Sequence, residues 1–114
     1  MIEALRRRLE ALARPTVPWL LIEEPGGHVR RLPLQGSCYR VGRDARNDVV
    51  IAHPAVSRRH ALLERHGSHW LLSDQRSTNG LWWRDRRVRR LVLRDGDGIR
   101  FGPSDQEDVP QIRW

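Results

Sequence analysis

The 114-residue chain reads as an all-β domain, a sandwich or barrel of short strands, with an amphipathic helix at its start. Three observations predict this. From Trp19 onward, short apolar segments recur between clusters of Gly, Pro, Asn, Asp and Ser. The turns Pro25-Gly26-Gly27, Gly67-Ser68, Asn79-Gly80 and Asp95-Gly96-Asp97 are built from residues that tolerate positive φ. A helical period appears only in residues 1–14. The chain therefore divides into a helical extension, residues 1–14, and a β domain, residues 15–114.

In the extension, Ile2, Leu5, Leu9 and Leu12 recur at helical spacing with Arg and Glu between them, which gives one apolar stripe. Pro15 and Pro18 end the helix, because proline lacks the amide and restricts the residue before it. A helix this short is marginal alone. Its stripe either packs on the following domain or serves a partner or self-association, and both readings stay open. Strands are expected near Trp19 to Glu23, Val29 to Leu34, Cys38 to Gly42, Val49 to Ile51, Ala61 to Arg65, Trp70 to Ser73, Leu81 to Arg84, Val88 to Leu93, Gly98 to Phe101 and Val109 to Trp114. Ile99 and Phe101 flank Arg100, and Tyr39 and Val41 flank Arg40, which is the alternation of half-buried strands. Leu71-Leu72 and Leu91-Val92-Leu93 show no decisive period. Trp82 and Trp83 point to opposite faces of one strand, so at least one is expected in the core.

With 39% hydrophobic residues the chain can bury a core without staples. Cys38 is the only cysteine, so an intramolecular disulfide framework and a cysteine zinc site are excluded. The longest apolar run, Val17 to Ile22, is broken by Pro18 and falls far short of the roughly 20 residues a membrane span needs. No apolar h-region precedes it, and a cytoplasmic protein with no membrane contact is expected. All 21 basic residues are Arg, against 14 acidic ones, for a net charge of +7. Such a chain attracts polyanions, and a guanidinium fork suits phosphate oxygens. Genomic base composition explains an Arg bias equally well, so the bias alone assigns no ligand.

The least strand-like stretches carry the chemistry. Gly42-Arg43, Ser57-Arg58-Arg59-His60 and Ser77-Thr78-Asn79-Gly80 group hydroxyls, amides and guanidinium in compact loops. A phosphate dianion needs several donors converging from fixed backbone, and hydrogen bonds to charged groups contribute about 1.5–3 kcal/mol each. Arg43, Ser57, Arg58 and Thr78 can supply that set.

In order and spacing these residues resemble the forkhead-associated (FHA) domain family, a β-sandwich module that binds phosphothreonine peptides. The resemblance covers Trp19 to Trp114. It runs through Tyr39-Arg40-Val41-Gly42-Arg43, Asn47-Asp48-Val49-Val50-Ile51, Val56-Ser57-Arg58-Arg59-His60-Ala61, Asp74, Ser77-Thr78-Asn79-Gly80, Asp95-Gly96-Asp97-Gly98-Ile99 and Phe101-Gly102. It implies an FHA-like antiparallel β-sandwich and a non-catalytic, cofactor-free adaptor with a signalling or scaffold role. The implied partner is a phosphothreonine-containing protein phosphorylated by a Ser/Thr kinase. Carried over by position, Arg43 and Ser57 touch phosphate oxygens, Thr78 and Arg58 add contacts, and Asn79 holds the peptide main chain. Gly42 permits close packing, His60 is a buried brace for the serine loop, and Gly80 completes a turn. The residues agree about His60, since a lone His opening an apolar strand is more often a satisfied core group than a ligand or base.

The chain also departs from the family pattern. Arg58 stands where many relatives have Asn or another polar residue, which strengthens the pull on phosphate or on an acidic residue farther along the peptide. Where relatives often have an Asn-Gly turn, Arg84-Asp85-Arg86-Arg87 reads as a longer or a more mobile turn whose charge extends the peptide groove. In a simple meander, successive loops fall at alternate ends, which would separate Arg43 from Ser57. The resemblance implies that Val49 to Ile51 crosses between the sheets and restores convergence.

Two other readings compete with this one. A nucleic-acid-binding β domain would use Arg86-Arg87-Val88-Arg89-Arg90 with Trp82 and Trp83 as stacking platforms, yet no RNA- or DNA-binding signature accompanies them. An enzyme is the weaker reading. The chain has no Lys for a P-loop or kinase, and His66 and His69, with His53 or His28, lack a carboxylate cluster at metal-ligand spacing. Ser57 and His60 lie three apart at a strand entry, face different sides and lack an orienting carboxylate.

Overall fold

The computed structural model describes residues 2–5, 17–103, 105–106 and 108–114. Residues 2–5 are helical, and Ile2 and Leu5 are exposed. The remainder of the expected helix lies outside the described residues.

The β domain contains β1 (Trp19–Glu23), β2 (Val29–Pro33), β3 (Cys38–Gly42), β4 (Val49–Val50), β5 (Ala61–His66), β6 (His69–Asp74), β7 (Leu81–Trp83), β8 (Arg86–Val88), β9 (Arg90–Val92), β10 (Gly98–Arg100) and β11 (Gln111–Arg113). One sheet has the order β2-β1-β11-β10-β7-β8 and the other β4-β3-β5-β6-β9. The described domain is thus the expected all-β sandwich, with every neighbouring pair antiparallel except β3 and β4. Leu20, Ile22, Leu81, Ile99 and Ile112 from the first sheet meet Val41, Leu63 and Leu72 from the second, with the loop residues Ile51, Val56 and Phe101, all essentially inaccessible. Each such side chain stabilises the fold by about 1.5–3 kcal/mol. β11 lies between β1 and β10, so the C-terminal strand is an interior member of its sheet.

Three expectations are corrected. Val88 to Leu93 is not one strand. Val88 closes β8 in the first sheet, the chain changes sheets at Arg89, whose carbonyl accepts the Asp74 amide at 2.7 Å, and β9 pairs with β6. The odd interval between Val88 and Leu91 breaks a period of two and is the local sign of that change. Second, Arg84-Asp85-Arg86-Arg87 is not a longer turn. Only Arg84 and Asp85 form the turn, with φ of 47° and 62°, while Arg86 and Arg87 pair with Trp83 and Trp82 in β8. Positive φ at both central residues is the type I′ pattern that matches strand twist. Third, neither Trp82 nor Trp83 enters the core, since both are half-buried. Trp82 donates its indole N–H to the Asn79 carbonyl at 2.8 Å, and Trp83 donates to Asp97 at 3.2 Å beneath the Arg84 guanidinium.

Convergence of the loops has a different cause from the one expected. β4 does not cross between sheets; it pairs in parallel with β3, through Val41↔Val49 and Gly42↔Val50. The chain turns back over residues 43–48, and β4 then runs toward the end where β3 finished. Ile51 N donates to the Gly42 carbonyl at 2.9 Å, and β5 starts opposite Val41. A parallel neighbour adds no reversal, so the loops after β3 and after β4 leave the same end of the sandwich.

Candidate functional site

Three loops meet at this end: residues 43–48 after β3, 51–60 before β5 and 75–80 between β6 and β7. The middle loop is held from both sides. Arg43 N donates to Ser57 O at 3.0 Å, and Arg43 Nε donates to Val56 O at 3.0 Å, which lays the guanidinium along the backbone entering Ser57. On the far side, Thr78 N donates to Ser57 Oγ at 3.0 Å, and Asn79 Nδ2 donates to Ala55 O at 2.8 Å. Arg43, Ser57, Thr78 and Asn79 are therefore brought to one rim. The Arg43 Nη atoms, the Ser57 O–H, the Thr78 hydroxyl and the Asn79 amide oxygen make no hydrogen bond within the described residues. Arg43, Ser57 and Thr78 thus leave donors free along this edge, and Asn79 leaves an acceptor.

Arg58 reaches the same rim by its backbone. Its carbonyl accepts Asn47 Nδ2 at 2.6 Å and Asp44 N at 3.3 Å, while its side chain is exposed. Gly42 is required at this junction, since a Cβ there would lie 2.3 Å from Arg58 O and 2.8 Å from Asn47 Nδ2. Asp44 faces Arg46, whose side-chain and backbone hydrogen bonds, with weaker attraction from Arg46 and Arg58, hold its carboxyl down to about 2. At neutral pH it is a fixed anion on the outer side of the first loop.

His60 is the brace. It is fully buried, Nδ1 accepts the Ser57 amide at 3.0 Å, and Nε2–H donates to Gly80 O at 2.8 Å. Accepting at Nδ1 defines the neutral Nε2–H tautomer. Burial lowers the His60 pKa against the opposing influence of the Gly80 carbonyl and Asp74. Both ring nitrogens are committed to backbone, so the imidazole has no lone pair for the Ser57 hydroxyl. Phe101 packs edge-on at 4.8 Å between ring centroids and completes the setting. Gly80 adopts a φ of +81°, and a Cβ on it would meet Arg87 Nε at 2.4 Å.

Sequence reading missed several supports. Asn47 clamps the carbonyls of Asp44 and Arg58, and its place in the turn before β4 was the available signal. Ser77 donates Oγ–H and N–H to Asp74 and accepts Gly80 N at 2.9 Å, folding the third loop on itself. Arg87 donates to Ser77 O at 3.3 Å from the neighbouring sheet edge, a contact with no local sign in the sequence. His66 and His69 are paired and exposed on the β5–β6 hairpin, and among the described residues no three His, Cys, Asp or Glu side chains are grouped to hold a metal.

A family model described as FHA domain matches residues 39–102, more than half of the chain and all three rim loops. The chain belongs to the FHA domain family. The transcriptional regulatory protein EmbR of Mycobacterium tuberculosis is 42% identical over 84 residues, which is 73% of this chain and 21% of that protein. The FHA-1 structure of Mycobacterium tuberculosis Rv1747 aligns with a TM-score of 0.65 at 31% identity, covering 86% of this chain and 97% of the other. A structure of Mycobacterium tuberculosis EmbR in complex with a low-affinity phosphopeptide aligns with a TM-score of 0.69 at 30% identity over 98% of this chain and 28% of that one. This FHA domain thus spans about a fifth of the length of EmbR. No described helix is long and apolar enough to cross a membrane.

Proposed function

We propose that residues 15–114 form a phosphothreonine-dependent peptide-binding adaptor without catalytic activity, joined to the extension of residues 1–14. The observation that carries this reading is the pair of bonds that fastens Ser57 between the other loops, Arg43 N to Ser57 O and Thr78 N to Ser57 Oγ. They hold Arg43, Ser57 and Thr78 as neighbours, which supports a shared site for a guanidinium and two hydroxyls. Arg43 and Arg58 neutralise the phosphoryl group, Ser57 and Thr78 donate to its oxygens, and Asn79 pairs with the peptide main chain. Gly42, His60 and Gly80 keep the rim in place. The phosphopeptide bound in the Mycobacterium tuberculosis EmbR structure supports the same class of partner for this chain. Binding of this kind follows phosphorylation by a Ser/Thr kinase, which supplies the switch, and a cytoplasmic site of action is part of the same proposal. Association costs consume most of the gross gain, so affinities on the order of micromolar are expected.

The test is fluorescence anisotropy with a phosphothreonine peptide library against its unphosphorylated counterpart. Arg43→Ala removes two charge-assisted donors worth together about 3 kcal/mol or more, so affinity falls roughly a hundredfold. The exposed Arg43 side chain contributes little to folding, and the melting temperature changes by less than about 4 °C. Unchanged affinity in that variant, or equal binding of the unphosphorylated peptides, rejects the site.

A further inference from the structure

Beside the rim, on the outer side of the third loop, lies a groove of about 810 Å³ lined by Ser73, Asp74, Arg76, Ser77 and the β8–β9 arginines Arg87, Arg89 and Arg90. None of these arginines forms an ion pair within the described residues, whereas Arg30, Arg40, Arg46 and Arg113 each pair with a carboxylate. Asp74, whose oxygens accept from Ser77, is the one carboxylate in the lining and offsets a single charge of four guanidinium groups. Several guanidinium groups thus face one concavity around a single, already engaged carboxylate. Charge on β8 and β9 has a plain structural use, since both are edge strands and charged edges resist pairing with other chains. Arg76 escapes that account. It lies on the loop, not on an edge, and it holds a φ of 54°, a conformation that glycine adopts at less cost.

We infer that this groove binds a second anionic group, a phosphoryl or a run of carboxylates, on the same polypeptide that places its phosphothreonine at the rim. The inference rests on the adaptor reading above. Continuity argues for one shared ligand: Arg76 and Ser77 line the groove, while Thr78 and Asn79, next in the same loop, face the rim. Arg87 ties the two together, spanning Gly80 and donating to Ser77 O at 3.3 Å. A nucleic acid fits less well. No aromatic side chain lines the groove, and the Trp83 ring face is covered by the Arg84 guanidinium at 4.6 Å.

The test compares three peptides by anisotropy on the whole chain: phosphothreonine alone, phosphothreonine with a second phosphothreonine or a Glu run, and the Glu run alone. The second group is moved stepwise through about eight residues on either side, a reach of up to about 26 Å. At the right offset, wild type binds the doubly anionic peptide about tenfold more tightly than the single one. Arg76→Gly combined with Arg90→Ala abolishes that gain and leaves the single phosphopeptide unaffected. Arg76→Gly alone relieves the positive φ, so its melting temperature is kept or raised and a loss of gain cannot be blamed on unfolding. The inference is overturned by no gain at any offset, by a gain that survives the double variant, or by these substitutions weakening a single-stranded oligonucleotide while sparing the peptides. Failure of the rim has a separate signature, the absence of binding by the single phosphopeptide. In that event the Glu run alone, at low salt, decides the groove by whether its binding depends on Arg76 and Arg90.

Discussion

Replacing His60 by Ala removes a fully buried ring that links two of the three rim loops, through the Ser57 amide at 3.0 Å and the Gly80 carbonyl at 2.8 Å. Each backbone group left without a partner costs about 1–3 kcal/mol, and the space beside Phe101 adds a cavity contribution. With the loops relaxing to recover part of these losses, the net cost is about 3–5 kcal/mol. An unfolding entropy of about 2.1 cal/mol/K per residue over a chain of this length makes 1 kcal/mol equivalent to about 4 °C, so the melting temperature falls by about 12–20 °C. Two conservative variants divide the loss. His60→Asn keeps an acceptor near Nδ1 for Ser57, while His60→Gln keeps a donor near Nε2 for Gly80, and each recovers part of the stability. Calorimetry on the four proteins at neutral pH, with phosphopeptide anisotropy on the folded fractions, measures both effects. A His60→Ala melting temperature within about 3 °C of wild type refutes the brace. So does full stability with lost binding, because the ring would then be touching ligand.

The same ring predicts a pH limb. Its folded pKa lies below the unfolded value near 6.5, so its stabilisation is complete above that pH. As pH falls below about 6.5, the unfolded chain takes up a proton that the native state refuses, and stability declines until the folded pKa is passed. Chemical denaturation of the unliganded protein from pH 7.5 to 5 shows this decline, and His60→Asn flattens it. Asn47→Ala releases the Arg58 and Asp44 carbonyls and lowers the melting temperature by about 4–8 °C, at about 1–2 kcal/mol, with weaker phosphopeptide binding. Arg84→Asn with Asp85→Gly suits the type I′ turn and raises stability by about 0.5–1 kcal/mol without changing affinity, which thermal melts and anisotropy check together.

Strand positions and rim chemistry were legible where the signal is local. Alternation around Arg100 and Arg40 marks β10 and β3, and the groups Gly42-Arg43, Ser57-Arg58 and Thr78-Asn79 mark the loops by composition. The β8–β9 boundary was hidden, because Val88 to Leu93 is apolar enough to pass for one strand and the sheet change at Arg89 is set by pairing with β6. Trp82 and Trp83 misled for a related reason. A strand near a sheet edge can leave both faces half-covered, so alternation alone does not force either ring inside.

By itself the sequence determined the β-rich character and the donor types, which follow from short-range periodicity and side-chain chemistry, and the order of its loop motifs carried the resemblance to the FHA family. Tertiary structure alone decided that Arg43 and Ser57 share an end, because a two-residue strand pairs in parallel with β3 instead of reversing beside it. It also decided that arginines from a loop and two sheet edges line one groove. Both outcomes depend on long-range hydrogen-bonded register, which no local window of residues contains.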